Sequence, residues 1–87
     1  ALKNLGNWYA ADSLNERAAG YYERALALDP QDANLHYNLG RLYIQFLGKP
    51  GPGALHLRTS LELDPGQPQA EAIRQTLDYL KSAGYID

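Results

Sequence analysis

The sequence predicts an all-α fold, a stack of antiparallel helix pairs with five helices in one domain. Three observations predict it. Leu5-Gly6-x-x-Tyr9 returns as Leu39-Gly40-x-x-Tyr43, 34 residues on, and Leu28-Asp29-Pro30 returns as Leu63-Asp64-Pro65, 35 residues on. Between these phrases apolar residues recur at helical spacing. Each unit closes on an Asp-Pro pair, where proline biases the preceding residue out of the α region. A period of this size marks a helical unit that cannot bury its apolar face alone and must stack on a copy of itself.

The elements follow in order. Leu2, Leu5, Trp8, Tyr9 and Ala10 lay an apolar stripe on a first helix that ends near Asp12-Ser13. Ser13 or Asn15 is the expected N-cap of a second helix, with Glu16 in its first turn favourable to the dipole. Ala18, Tyr22, Ala25 and Leu26 form its buried stripe up to Asp29-Pro30. Asp32 or Asn34 then caps a third helix carrying Leu35, Leu39, Leu42, Tyr43 and Phe46. Gly48-Lys49-Pro50-Gly51-Pro52-Gly53 reads as a breaker cluster unsuited to any helix interior. The residue that lengthens the period from 34 to 35 is expected there. A fourth helix carries Leu57, Leu61 and Leu63 to Asp64-Pro65. Gly66-Gln67-Pro68 opens a fifth over 68–83, with Pro68 suited to the first turn. Its stripe is Ala70, Ile73, Leu77 and Leu80, and Gly84 is its stop before a short tail at 84–87. The helical pattern is already running at Ala1, so the chain is expected to be a fragment or terminal domain of a longer protein.

Bulk properties exclude several functions. Eighty-seven residues with a formal net charge of −2 make one small, nearly balanced domain without the basic surplus that phosphate backbones demand. There is no cysteine, hence neither disulfide nor thiolate chemistry. No apolar run approaches the ~20 residues that span a bilayer, so membrane insertion is not expected. A soluble chain follows, its compartment undecided and cytoplasmic by default.

The pairing of Leu-Gly-x-x-Tyr in one helix with Ala-Leu-x-Leu-Asp-Pro at the end of the next resembles the tetratricopeptide repeat (TPR) family. Ala18 and Tyr22 fill two further slots of that pattern. Repeats at 1–30 and 33–65, closed by a capping helix, match it, and the resemblance implies a right-handed superhelical α-solenoid. The sequence departs from the family at Leu2 and His36, where tryptophan is frequent. In the second copy Gly53 replaces a small alanine, Leu57 an aromatic, and Ser60 stands where the first copy has Ala25. The packing logic holds without the name. Gly6 and Gly40 admit a neighbouring helix closely, and Ala18, Ala25, Tyr9 and Tyr22 fill the remaining gap.

In such arrays the first helices of successive repeats line a concave groove, and the resemblance implies that peptides or partner segments bind there. The groove slots are Lys3, Asn7, Ala10 and Ala11 from the first repeat and Asn34, Tyr37, Asn38, Arg41, Ile44 and Gln45 from the second. Thr76 closes the surface from the capping helix. Two cations, amides and an aromatic can hold a peptide carboxylate or backbone. The same residue types also make an ordinary solvated helix face. One TPR subclass clamps a C-terminal carboxylate, and Lys3, Asn7 and Asn38 fall on three of its slots. The two remaining slots hold Gln69 and Ile73, so the cationic half of that clamp is missing.

Catalysis has no visible basis. His36 and His56 lack a carboxylate at chelating spacing, so no metal is expected. His36 is expected to pack half-buried, and His56 to be exposed. Ser13, Ser60 and Ser82 have no paired base, and Glu16, Glu23, Glu62 and Asp64 look like surface charges. The glycine cluster lacks the Lys-Ser/Thr of a phosphate loop. The sequence therefore predicts a non-enzymatic protein-interaction module with no cofactor. Two alternatives stand beside it: a self-association scaffold using exposed terminal helix faces and the Tyr85-Ile86-Asp87 tail, or an accessory domain attached to an enzyme.

Overall fold

The computed structural model describes residues 14–87, and these form four α-helices and no strand. The helices are α1 (Asn15–Leu28), α2 (Ala33–Gln45), α3 (Pro50–Leu63) and α4 (Ala70–Ser82). The first expected helix, with Lys3, Asn7, Ala10 and Ala11, lies outside the described residues. Each described helix packs chiefly on its sequence neighbours, and the α2–α3 pair is the closest.

The repeat is exact in length. Helices α1 and α3 are each 14 residues long, and both their first and last residues are 35 apart. Both stop one residue before Asp-Pro, so the doubled phrase marks a doubled helix end. Because the offset is already 35 at the start of α3, the added residue precedes Pro50. It lies between Tyr43 and Pro50, a stretch that turns on Gly48 at φ +62°.

Alanine and leucine stripes build the core. Ala18, Tyr22, Ala25 and Leu26 of α1 bury against Leu35, Leu39 and Leu42 of α2, with Tyr43 and Leu47 packed at the margin. Ala54 and Leu57 of α3 and Ile73 and Leu80 of α4 continue the buried layer. Leu28 contributes nothing to it, being 79% exposed.

The glycine cluster behaves differently from its expected reading. Pro50, Gly51, Pro52 and Gly53 lie inside the first turn of α3. The first turn's N–H groups have no partner within the helix, so proline forfeits nothing there. Gly53 is buried for a second reason. A Cβ on Gly53 would lie 2.8 Å from the Gly40 carbonyl oxygen and collide with Ile44, and one on Gly40 would lie 2.8 Å from the Gly53 carbonyl oxygen. The two helices touch backbone to backbone at this pair.

Capping also settles. Asp32 is the N-cap of α2, its carboxylate accepting from the Leu35 N–H at 3.1 Å. Asn34 lies within the helix, and Asn15 is the first residue of α1, where Leu14 occupies the cap without a side-chain bond. Pro68 sits in the turn before α4 rather than in its first turn. The side chain of Gln67 orders this turn. Its Nε2 donates to the Ser60 carbonyl at 3.1 Å, the Ser60 hydroxyl at 2.9 Å and the Asp64 carbonyl at 3.0 Å. Ser60 is fully buried and donates in turn to the Ala33 carbonyl at 2.7 Å. One hydroxyl thereby ties α3 to the start of α2. Gly84, at φ +84°, ends α4 as expected.

Candidate functional site: a hollow between α2 and α4

Helix α2 presents Tyr37, Arg41, Ile44 and Gln45 along one face. Positions 37, 41 and 45 are four apart and therefore stack one turn above another. Helix α4 presents Ala72, Ile73 and Thr76 opposite, and Leu57 of α3 lies beneath. These eight residues line one hollow of about 110 Å³. Its floor is apolar and buried: Leu57 and Ile73 are 2% and 1% exposed. The space falls short of the roughly 300 Å³ at which small-molecule pockets begin. A peptide side chain suits it better than a cofactor does.

The rim is polar. The Arg41 guanidinium stands over the Tyr37 ring, 5.7 Å from its centroid. Among the described residues no carboxylate pairs with it. The Thr76 hydroxyl donates to the Ala72 carbonyl at 2.9 Å, within its own helix. A second, wider hollow shares Ile44 and runs past Gly48 and Pro50 to Tyr79, Leu80 and Tyr85. Tyr79 and Tyr85 pair there, with ring centroids 6.4 Å apart.

Of the groove slots chosen from sequence, Tyr37, Arg41, Ile44, Gln45 and Thr76 converge on this hollow. Asn34 and Asn38 do not line it. They bond each other instead, Asn38 Nδ2 donating to Asn34 Oδ1 at 3.3 Å. Lys3, Asn7 and Ala11 lie outside the described residues. Sequence reasoning missed the floor. Leu57 and Ile73 read as core stripe residues, and Ala72 carried no signal at all.

A second polar cluster lies between α1, α2 and α3, and here His56 departs from its expected exposure. Its side chain is only 18% exposed, and its Nδ1 lies 3.1 Å from His36 Nδ1. His36 Nε2 lies 2.9 Å from the Pro30 carbonyl oxygen. A carbonyl can only accept, so the His36 proton is on Nε2 and its Nδ1 is an acceptor. With His36 neutral, His56 donates from Nδ1, and its Nε2 can donate to Glu23 only when the ring is protonated. Its Nε2 faces Glu23 Oε1 at 3.5 Å, and the same carboxylate oxygen accepts from the Tyr43 hydroxyl at 3.0 Å. Burial pushes His56 below its ordinary 6.5, a drop that Glu23 opposes and His36 reinforces. Burial and the Glu23 bond both push Tyr43 upward. The cluster is a hydrogen-bonded strut across three helices. Among the described residues no group of three or more His, Asp or Glu side chains could hold a metal ion.

Four described helices in antiparallel succession, an exact 35-residue offset and a glycine contact at the repeat position are joined by a further match. A family model, Tetratricopeptide repeat, matches residues 5–78. The chain belongs to the tetratricopeptide repeat family. The match spans both copies of the doubled phrase and runs into α4, so the TPR assignment covers the hollow as well as the packing core. TPR domains generally mediate protein–protein interaction, and a partner protein is the coarse expectation for this one. No curated protein matches the chain. Among the described residues no helix is long and apolar enough to cross a membrane.

Proposed function

We propose that this TPR domain is a non-catalytic interaction module that holds a peptide segment of a partner in the hollow between α2 and α4. In this reading two repeats and a capping helix form the working unit, and the hollow is the described part of the concave groove. One observation carries it. Five groove slots implied by the family resemblance surround one hollow with an apolar floor. Catalysis lacks comparable support, because both histidines of the chain are engaged with each other and with Pro30 or Glu23.

A displayed library of random 12-residue peptides, selected on the domain, tests the reading. Amide chemical shifts are then followed as an enriched peptide is titrated. Shifts concentrated at Tyr37, Arg41, Ile44 and Thr76, abolished by Ile44→Asp, are expected. Enriched peptides that shift only the far faces of α1 and α3, around Arg24 and Arg58, would overturn it. So would the failure of any peptide to enrich.

A further inference from the structure

Among the described residues a single charged side chain borders the hollow, and it is positive: Arg41. Arg74, by contrast, has Glu71 at 4.0 Å. Arg41 is exposed, yet it is held over the Tyr37 ring one turn earlier on the same helix. An aromatic contact engages the flat face of a guanidinium and leaves its edge N–H donors available. That edge is the fork that matches a carboxylate bidentately. The Gln45 amide, one turn further along, adds another donor on the same side. Immediately below, Leu57 and Ile73 offer only hydrocarbon. A neutral or basic segment covering this surface would strip water from Arg41 without replacing it, a cost that an anion avoids.

We propose, resting on the groove reading above, that the segment recognised is acidic and apolar at once. A side-chain carboxylate of the partner meets the edge of Arg41, and an adjacent aliphatic side chain settles against the accessible Ile44 and Ala72, over the buried Leu57 and Ile73. The residues that do this are not those of the C-terminal carboxylate clamp, whose cationic slots here hold Gln69 and Ile73. The anion required is a glutamate or aspartate within the partner's chain.

Fluorescence anisotropy with dye-labelled, C-terminally amidated 12-residue peptides tests it, amidation leaving the side chain as the only carboxylate. The probes have Gly/Ser/Ala flanks and a central Leu-Glu or Glu-Leu pair. Matched peptides replace Glu by Gln, Glu by Lys, or Leu by Ala. At least one order of the pair should bind saturably and about tenfold more tightly than its Gln, Lys and Ala counterparts, a difference of ~1.4 kcal/mol. Arg41→Gln should erase the preference for Glu over Gln, whereas Arg74→Gln should keep it. Equal binding of Glu and Gln peptides, a preference that survives Arg41→Gln, or absence of saturable binding by both orders each overturns the proposal. Library peptides that shift Ile44 and Thr76 but carry no acidic residue would sink this inference and leave the groove reading standing. Peptides bound on another face would sink the groove reading itself.

Discussion

His36 and His56, 20 positions apart in sequence, share one hydrogen bond between their Nδ1 atoms at 3.1 Å. In the neutral pair the Pro30 carbonyl takes the single ring proton of His36 on Nε2, so His56 is the donor between the two Nδ1 atoms. The arrangement also makes the domain sensitive to acid. His56 is held below its ordinary 6.5, chiefly by burial. Between the folded value and 6.5 the unfolded chain binds more protons, so stability is complete above about 6.5 and declines as the pH falls from there towards the folded value. Urea midpoints should therefore be level from pH 8 to 7 and fall once the pH drops below 6.5. His56→Gln should flatten that fall. A midpoint that rises on acidification would mean that attraction to Glu23 outweighs burial.

The glycine contact predicts opposite outcomes for one substitution at different sites. Gly40→Ala would place a methyl 2.8 Å from the Gly53 carbonyl oxygen and should cost about 1–3 kcal/mol or more by forcing the helices apart. Gly20 lies within α1, and among the described residues nothing lies within 4 Å of where its Cβ would stand. Gly20→Ala should accordingly add about 0.5–1 kcal/mol, by removing backbone entropy from the unfolded chain. Denaturant midpoints of the two variants beside wild type decide the matter.

Ser60 stands where the first copy has alanine, yet restoring alanine should harm the domain. Ser60→Ala removes the 2.7 Å bond to the Ala33 carbonyl and one of three acceptors of Gln67. A loss of about 1–2 kcal/mol is expected, the Ala33 and Gln67 groups being left less well paired in a buried place. If thermal unfolding shows Ser60→Ala equal to or more stable than wild type, the bond is not a tie between α2 and α3.

The tail at 84–87 turns back on its own helix. The Tyr85 N–H donates to the Leu80 carbonyl at 2.9 Å, and its ring meets Tyr79. Ending the chain at Ala83 should lower stability by about 0.5–1.5 kcal/mol, the worth of an aromatic pair, and leave the sedimentation coefficient that of the same oligomer. A smaller assembly after truncation would show instead that the tail reaches a neighbouring copy.

Much of the fold was legible because the doubled phrase names helix ends and contact points directly. Leu28-Asp29 and Leu63-Asp64 mark where α1 and α3 stop, and Gly40 marks the close approach. The glycine–proline cluster misled because breaker rules describe helix interiors, while a first turn has no N–H bond to lose. His56 misled for another reason. Its helical register shows the direction of its side chain but not that Glu23, two elements back, and His36 converge on the same space. Within the hollow the polar rim was readable from register. Its floor was not, since Leu57 and Ile73 carry no mark separating a buried wall from one open to a visiting side chain.

The Gly40–Gly53 contact divides labour along helix α2. Two peptide planes in contact set the gauge between α2 and α3, and main-chain atoms are the same whatever the sequence around them. Arg41, Ile44 and Gln45 project from that fixed gauge without helping to set it. Residues at the rim can consequently be exchanged while the spacing over which they act stays constant. A lineage, or a designer, wanting a different partner could redraw the rim of this domain and keep the two glycines as its ruler.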